Sequence, residues 1–417
     1  AQAWIEKPGF PLVSIRRVAR AGLRVRQVRF FSDPAVSAAR RRSAWPLPLV
    51  VKRGGDAGSA VDRFLVDGAS RTVRLPVRKS PPWIYGNAEA GGFYRVSHEP
   101  ADHAALLGRL GEVLTSVERQ ALVGDRWAMV RAGRAAIESF LDVVDALGAE
   151  TDYDVLDGIA GPLGLIDEQI VEGETQQRFR AWIAGRFGAQ LAALGWSAAA
   201  DEADARRLRR AAIIRLTGSI AESPPVLAEA RRRLDAYLAD RSSLEPNLAD
   251  AVVSLAAREA DAATYDRYRQ AVTAAATPQE RRRFLLNLAS FRRPELVART
   301  LEATLGEEVP TQDVAFLYMR LFSNRGGRDA CWRFLTRHWK AIRRRVPPLM
   351  VSRLVETTPA LRDPRYGREV ARFFRAHPVA EAARSLKQAL EMFRLNGGLR
   401  RRATPGIARW LARRRAE

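Results

Sequence analysis

The stretch Trp83-Ile-Tyr-Gly-Asn-Ala-Glu-Ala-Gly-Gly-Phe-Tyr-Arg-Val-Ser97 decides how this chain is read. Ile84 and Tyr85 suit a strand, and Phe93, Tyr94 and Val96 suit another. Between them Gly86-Asn87 and Gly91-Gly92 supply residues that tolerate positive φ, so the stretch is expected to form a β-hairpin. Upstream the sequence reads as short strands; downstream apolar residues recur at three and four, as in helices. The stretch therefore marks a junction between an all-β domain, residues 1–97, and an α-helical domain, residues 98–417. The expected fold is mainly α, with a small N-terminal β-sandwich followed by a curved array of stacked helices.

Working outward, residues 9–15, 23–30, 45–52, 63–66 and 72–77 are further strand candidates, at the close spacing of a small sandwich. Leu23, Val25, Val28 and Phe30 fall into two alternating sets with a phase slip at Gln27, which predicts a bulge there. Gly54-Gly55-Asp56 and Asp67-Gly68 read as turns, the second as a hairpin turn. Residues 32–43, with Asp33-Pro34 and Arg40-Arg41-Arg42, read as an exposed and mobile excursion.

From Pro100 on, Ala105, Leu106, Leu110, Val113, Leu114 and Val117 open a helical pattern that runs to the end. Helices are expected over 118–132, 134–147, 153–165, 175–194, 201–216, 225–239, 246–257, 261–274, 277–290 and 294–305. Others are expected over 311–323, 328–343, 348–356, 364–375, 378–396 and 405–414. Thr277-Pro278-Gln279-Glu280 reads as a capping box, and Thr311 before Gln312-Asp313 as a similar start. Gly158 to Gly164 reads as a helix-interrupting loop. The irregular repeat of roughly 35–40 residues lies near the HEAT/armadillo range, whose stacked helix pairs leave a concave face for binding.

The chain has 417 residues and a formal charge of +22. Residues 1–97 hold 18 Lys and Arg against 6 acids, 98–336 hold 30 against 35, and 337–417 hold 21 against 6, so the ends are basic and the middle slightly acidic. Only five of the 69 basic residues are Lys, which reads as Arg-rich compositional drift before it reads as an anionic partner. No apolar run approaches membrane-spanning length, and residues 1–11 carry Glu6 and Lys7 without the apolar core of a signal peptide. A single Cys331 excludes an internal disulfide and a cysteine zinc site, and suits a buried small residue.

Few residues form a pattern that carries chemistry. His98-Glu99-Pro100-Ala101-Asp102-His103 superficially resembles H-E-x-x-H, but its histidines are five apart and Pro100 stands where a helix would continue. Solvent-exposed histidines are expected there, and His338 and His377 read as surface or satisfied positions. Glu150, Asp152, Asp154 and Asp157, then Asp167, Glu168, Glu172 and Glu174, read as helix N-termini and solvated faces. Arginine clusters at 206–210, 281–283, 343–345, 400–402 and 413–415 lie mostly at helix ends without interleaved aromatics, which favours solvation over nucleic-acid binding.

Asn87, Gly92, Phe93, Tyr94, Arg95 and Val96 form a segment similar to the "N-x-x-x-x-G-[FY]-Y-R-V" of the aminopeptidase N-type zinc metallopeptidases (gluzincins). That group includes the puromycin-sensitive and endoplasmic-reticulum aminopeptidases. Trp4, Pro8, Gly9 and Pro11 resemble the family's "W-x-x-x-x-G-[FY]-P" strand, and residues 116–126, ending in Asp125-Arg126, resemble its first helices of the helical domain. Residues 278–291, Gln312-Asp313, Trp332 with Phe334, Trp339, and 388–411 follow in the family's order.

The resemblance implies the non-catalytic C-terminal half of a zinc metalloaminopeptidase that removes N-terminal residues from peptides: a β-sandwich linker and a helical bowl enclosing the substrate chamber. It implies no cofactor bound by this chain. Zinc is expected in an upstream catalytic domain, where the family's "G-x-M-E-N", H-E-x-x-H and catalytic Tyr lie; the opening without Met suits a fragment. The expected partners are that domain and peptide substrates, in the cytoplasm. In the family, basic residues of the concave wall meet the peptide's C-terminal carboxylate, which nominates Arg325 first and Arg328 second. The alternative is a stand-alone basic helical-repeat scaffold binding protein or nucleic acid.

Overall fold

A computed structural model describes residues 2–55, 58–199 and 201–414. The chain forms two compact units, Ala1–Pro162 with Arg402–Glu417, and Leu163–Arg401.

In the first unit alternating apolar residues build seven strands: β1 (Pro11–Val18), β2 (Gly22–Arg29), β3 (Leu47–Gly55), β4 (Gly58–Val66), β5 (Ser70–Arg74), β6 (Ile84–Tyr85) and β7 (Arg95–His98). One sheet has the order β5-β2-β1-β7 and the other β4-β3-β6. Val13, Ile15, Leu23 and Val25 of the first meet Leu47, Leu49, Val51 and Val66 of the second in one core, closed by Ile84, Tyr94 and Val96. This is a β-sandwich.

The junction is not a hairpin. β6 pairs with β3 (Lys52↔Tyr85), whereas β7 runs parallel to β1 in the other sheet (Leu12↔Arg95). The residues that suggested a turn instead close a loop that carries the chain between sheets. Gly92 N donates to Asn87 Oδ1 at 2.9 Å, and Asn87 Nδ2 donates to Gly92 O at 3.1 Å. A Cβ at Gly92 would lie 2.0 Å from the Tyr94 ring, so this glycine is required for close approach. Phe93 lies outside β7 and is exposed. Asp67-Gly68 likewise leads from β4 to β5 across sheets. β3–β4 is a hairpin, as is β1–β2; Gly54 and Gly55 belong to β3, and Asp56 lies outside the described residues.

There is no bulge at Gln27 either: β1–β2 register runs unbroken from Pro11↔Arg29 to Val18↔Gly22. Leu23, Val25 and Gln27 share the inward face, and Gln27 is buried. Its amide donates to Trp45 O and Gly68 O and accepts from Trp45 N, so a polar side chain occupies what the pattern reserved for an apolar one. Residues 32–43 are largely exposed and include the short helix Ala38–Arg41.

Helices follow from Pro100 on, and Tyr153–Leu165, Pro246–Ala257 and Thr311–Ser323 have the expected limits. Gly158 to Gly164 is no loop but lies within Tyr153–Leu165, because Val155, Leu156, Ile159, Ala160 and Leu163 form a fully buried stripe that overrides the local propensity. For the same reason 378–396 and 405–414 join as one helix, Ala383–Arg413, in which Leu399, Ala403, Ile407 and Trp410 are buried past Gly397-Gly398 and Pro405. The expected helix 328–343 is two, Arg328–Arg337 and Trp339–Arg345, separated by His338 at φ −105, ψ 18. Thr277 caps Pro278–Asn287 by accepting from Glu280 N, but Glu280 bonds Ala276 N, so the box is incomplete. Thr311 lies inside its helix, whose N-cap is Pro310. Thr115 and Glu118 form a complete capping box.

Candidate functional site

Two segments of the second unit unwind into π-helix, Ile166–Ile170 and Arg215–Ile220. Such widenings recur at functional sites, because they re-aim side chains. The first presents Asp167 and Glu168; the second leads to Glu222, a non-glycine residue at φ 49. These acids are the centres of an arginine network, not solvated faces.

Arg180 donates Nε to Asp167 at 2.8 Å and Nη1 to Glu222 at 2.6 Å. Arg258 and Arg292 also meet Glu222, at 3.2 and 2.5 Å, and Arg292 reaches Glu259 at 3.4 Å. Arg325 donates to Asp167 at 2.7 Å; Arg328 bonds Glu168 and donates to Ala360 O at 2.8 Å. Arg400 donates to Gln169 O and Arg362 O, and Arg362 pairs with Glu172 at 3.0 Å. Six arginines thus share five carboxylates, and a seventh, Arg400, bonds carbonyl oxygens beside them, leaving a positive surplus.

The electrostatics follow from this crowding. Burial would raise Glu222, but the Arg292 hydrogen bond and the charges of Arg292, Arg180 and Arg258 outweigh it and hold the carboxyl down to about 2. Arg258, less well compensated, is pushed down to about 10 by burial and then by the Arg292 charge. Arg292 is raised, burial being outweighed by its bond and charge interaction with Glu222. Such a surface, rich in fixed guanidinium forks, can receive a carboxylate or another planar anion.

Of the two nominated arginines, Arg325 keeps 31% of its side chain exposed and Arg328 only 6%. Sequence reasoning missed Arg180, Glu222, Arg258, Arg292, Arg362 and Arg400, yet a signal existed. Arg258, Arg292, Arg325, Arg362 and Arg400 succeed one another at 34, 33, 37 and 38 residues, the period of the helical repeat. These five arginines supply one network member per interval, with Arg328 beside Arg325 and Arg180 completing it.

The remaining signature residues hold structure. Trp4 Nε1 donates to Pro46 O at 3.2 Å, Gly9 sits at φ 87, and Pro11 opens β1. Tyr94 hydroxyl donates to Gly86 O at 3.0 Å; Asp125 accepts from Arg95 at 3.0 Å and Val96 N at 2.8 Å. Asp313 pairs with Arg282, while its neighbour Gln312 is exposed. Trp332 Nε1 donates to Glu369, Phe334 packs on His338, and Trp339 packs edge-on against Phe373 and Phe374.

His98 and His103, expected at the surface, are buried. They do not suit zinc: His98 Nε2 accepts from Gly86 N, and the Arg126 guanidinium lies in electrostatic reach of both rings. Among the described residues no group of three His, Cys, Asp or Glu side chains could hold a metal ion. Cys331 is buried, and no described helix is long and apolar enough to cross a membrane.

Residues 83–395 match the family described as the ERAP1-like C-terminal domain. Over 98% of its length the chain is 24% identical to Aminopeptidase 2 of Candida albicans, covering 44% of that protein. It is 25% identical to Aminopeptidase M1-A of Oryza sativa over its whole length, covering 46% of it, and 21% identical to Puromycin-sensitive aminopeptidase of Caenorhabditis elegans over 81%, covering 36%. The chain spans less than half the length of these curated relatives.

Proposed function

Because the chain belongs to the ERAP1-like C-terminal domain family, we propose that it is the non-catalytic C-terminal region of a zinc metalloaminopeptidase. In this reading the β-sandwich is a linker, the helical array encloses the substrate, and zinc and the bond-breaking residues belong to a catalytic portion that this chain does not itself supply. The observation that carries it is the match over residues 83–395. The relatives are named aminopeptidases, and the chain aligns along nearly its whole length with under half of theirs. In the same reading Arg325 meets the C-terminal carboxylate of a peptide. Its part-exposed fork, fixed by Asp167, supports that role; Arg328, the second candidate, is more enclosed and pairs with Glu168.

The test is hydrolysis of an aminoacyl-fluorophore with added zinc, by the 417 residues alone and by the product of the reading frame extended upstream. Chelator-sensitive activity in the extended product alone is expected. Activity of the 417 residues alone, lost to chelators, would overturn the reading.

A further inference from the structure

Three helices of the second unit carry cations that nothing else in the chain answers. Arg333 and Arg337 stand four apart on Arg328–Arg337, and Lys340 and Arg344 four apart on Trp339–Arg345. They lie opposite the buried Trp332, Leu335, Trp339 and Ile342. On Arg365–Ala376, Arg368, Arg372 and Arg375 form a stripe opposite the buried Tyr366, Val370 and Phe374. All seven are exposed, and none has a side-chain hydrogen bond or ion pair among the described residues. Trp332 and Trp339 both pack edge-on against Phe373, at 5.5 and 5.6 Å, so these helices are neighbours.

An arginine-rich composition alone does not produce this. Elsewhere in the unit arginines find acids: Arg180, Arg258 and Arg292 share Glu222, Arg232 and Arg233 share Glu229, and Arg299 takes Asp266. Here the acids are absent or spent. Between Ala330 and Arg362 the one acid is Glu356, paired with Arg353 at 3.0 Å. Glu369 accepts from Trp332 Nε1, and Asp363 holds Arg365 at 3.4 Å. Like charges four apart on a helix repel, so these stripes cost stability until an anion meets them.

The chemistry of the face narrows the partner. Besides Asp329, the exposed positions of the three helices hold only Arg, Lys and Ala. There is no aromatic ring to stack on a base and no amide or hydroxyl to read one, so the face answers spread negative charge alone. Just past Arg344, in the first turn of Pro348–Thr357, Leu349 is 82% exposed. A nucleic-acid backbone gains nothing from that leucine, whereas a bilayer takes both: phosphates for the guanidiniums and an apolar layer for Leu349. We propose that these helices rest on an anionic lipid bilayer, with the seven cations among the headgroups and Leu349 entering the interface. The chain lies on the membrane in this arrangement; no described helix is long and apolar enough to cross one.

The experiment is co-sedimentation of the 417-residue chain with vesicles of phosphatidylcholine, pure or with about one-third phosphatidylserine. Binding to the anionic vesicles alone is expected, weakening as salt rises. Replacing Arg337, Lys340 and Arg372 together by Gln lowers the partition about 100-fold, about 5-fold for each cation removed. Replacing Arg24, Arg26 and Arg74 of the β-sandwich, equally exposed, by Gln removes the same charge and leaves the partition near wild type. Leu349→Ser lowers it several-fold at constant charge. All these side chains are exposed, so the variants keep their fold, and the lipid and salt comparisons need only the wild-type chain. No partition, or equal losses from the two triple variants, would overturn the proposal. So would an unchanged Leu349→Ser, or retention on duplex DNA without vesicle binding, which would give the face to nucleic acid.

Discussion

At the scale of single residues, the groups that matter most are polar side chains placed where apolar ones would pack. Gln27 satisfies three backbone groups, Trp45 N, Trp45 O and Gly68 O. Gln27→Leu keeps the volume and the inward face but strips those partners, so a loss of about 2–3 kcal/mol is expected in urea unfolding. A change under about 0.5 kcal/mol would show that solvent reaches these groups. His98 and His103 govern acid behaviour. Their folded pKa values, about 3 and about 4, lie below the ordinary 6.5. The unfolded chain therefore takes up protons first, and their contribution to stability falls as pH drops from about 6.5 towards 4. Asp125, raised to about 6 chiefly by burial, acts the other way, favouring the folded state as it protonates. Asp102, raised as well by burial, acts in the same direction as Asp125, so the histidine part is isolated by substitution. His103→Gln removes one term, so its stability should decline less steeply between pH 6.5 and 4 than wild type. Parallel curves would rule this account out.

At the scale of elements, the arginine network is held by Glu222, the one carboxylate that meets Arg180, Arg258 and Arg292 together. Glu222→Gln leaves three half-enclosed guanidiniums facing one another, and a loss of about 3–5 kcal/mol is expected, since breaking a buried pair strands its partner charges. Hydrogen exchange would rise together around 165–170, 258–260 and 291–293, while β1 to β3 keep their protection; a rise confined to residue 222 would contradict the shared role. This network was nearly invisible in the sequence, although helix existence and type were legible from spacing alone. A lone arginine every 33 to 38 residues becomes a cluster only once the repeats stack. The junction shows the opposite limit. Its residues Asn87, Gly92 and Tyr94 read as a hairpin, because a loop clamped by an asparagine between two sheets uses the same glycines as a tight turn. Where helices ran through Gly397-Gly398 and Pro405, the buried stripe was the better guide than the breakers.

At the scale of the whole chain, charge becomes the deciding quantity. Sixty-nine basic residues face 47 acids, with the surplus concentrated before residue 98 and after 336. Close pairs such as Arg292 with Glu222 or Arg119 with Glu150 are short and largely shielded from solvent, so salt weakens them little. Repulsion among the surplus arginines acts over longer distances through water, where raising ionic strength from about 0.01 to 0.15 M shortens the screening length from about 30 to about 8 Å. The two effects therefore separate by range, and the long-range repulsion is the one that salt removes. Tm should rise between those ionic strengths in a salt of poorly binding anion such as gluconate, and level off once the screening length falls below the spacing of the surplus charges. A steady fall would instead mean that exposed pairs of the kind formed by Arg269 with Glu308 and Arg299 with Asp266 carry more stability than the surplus removes.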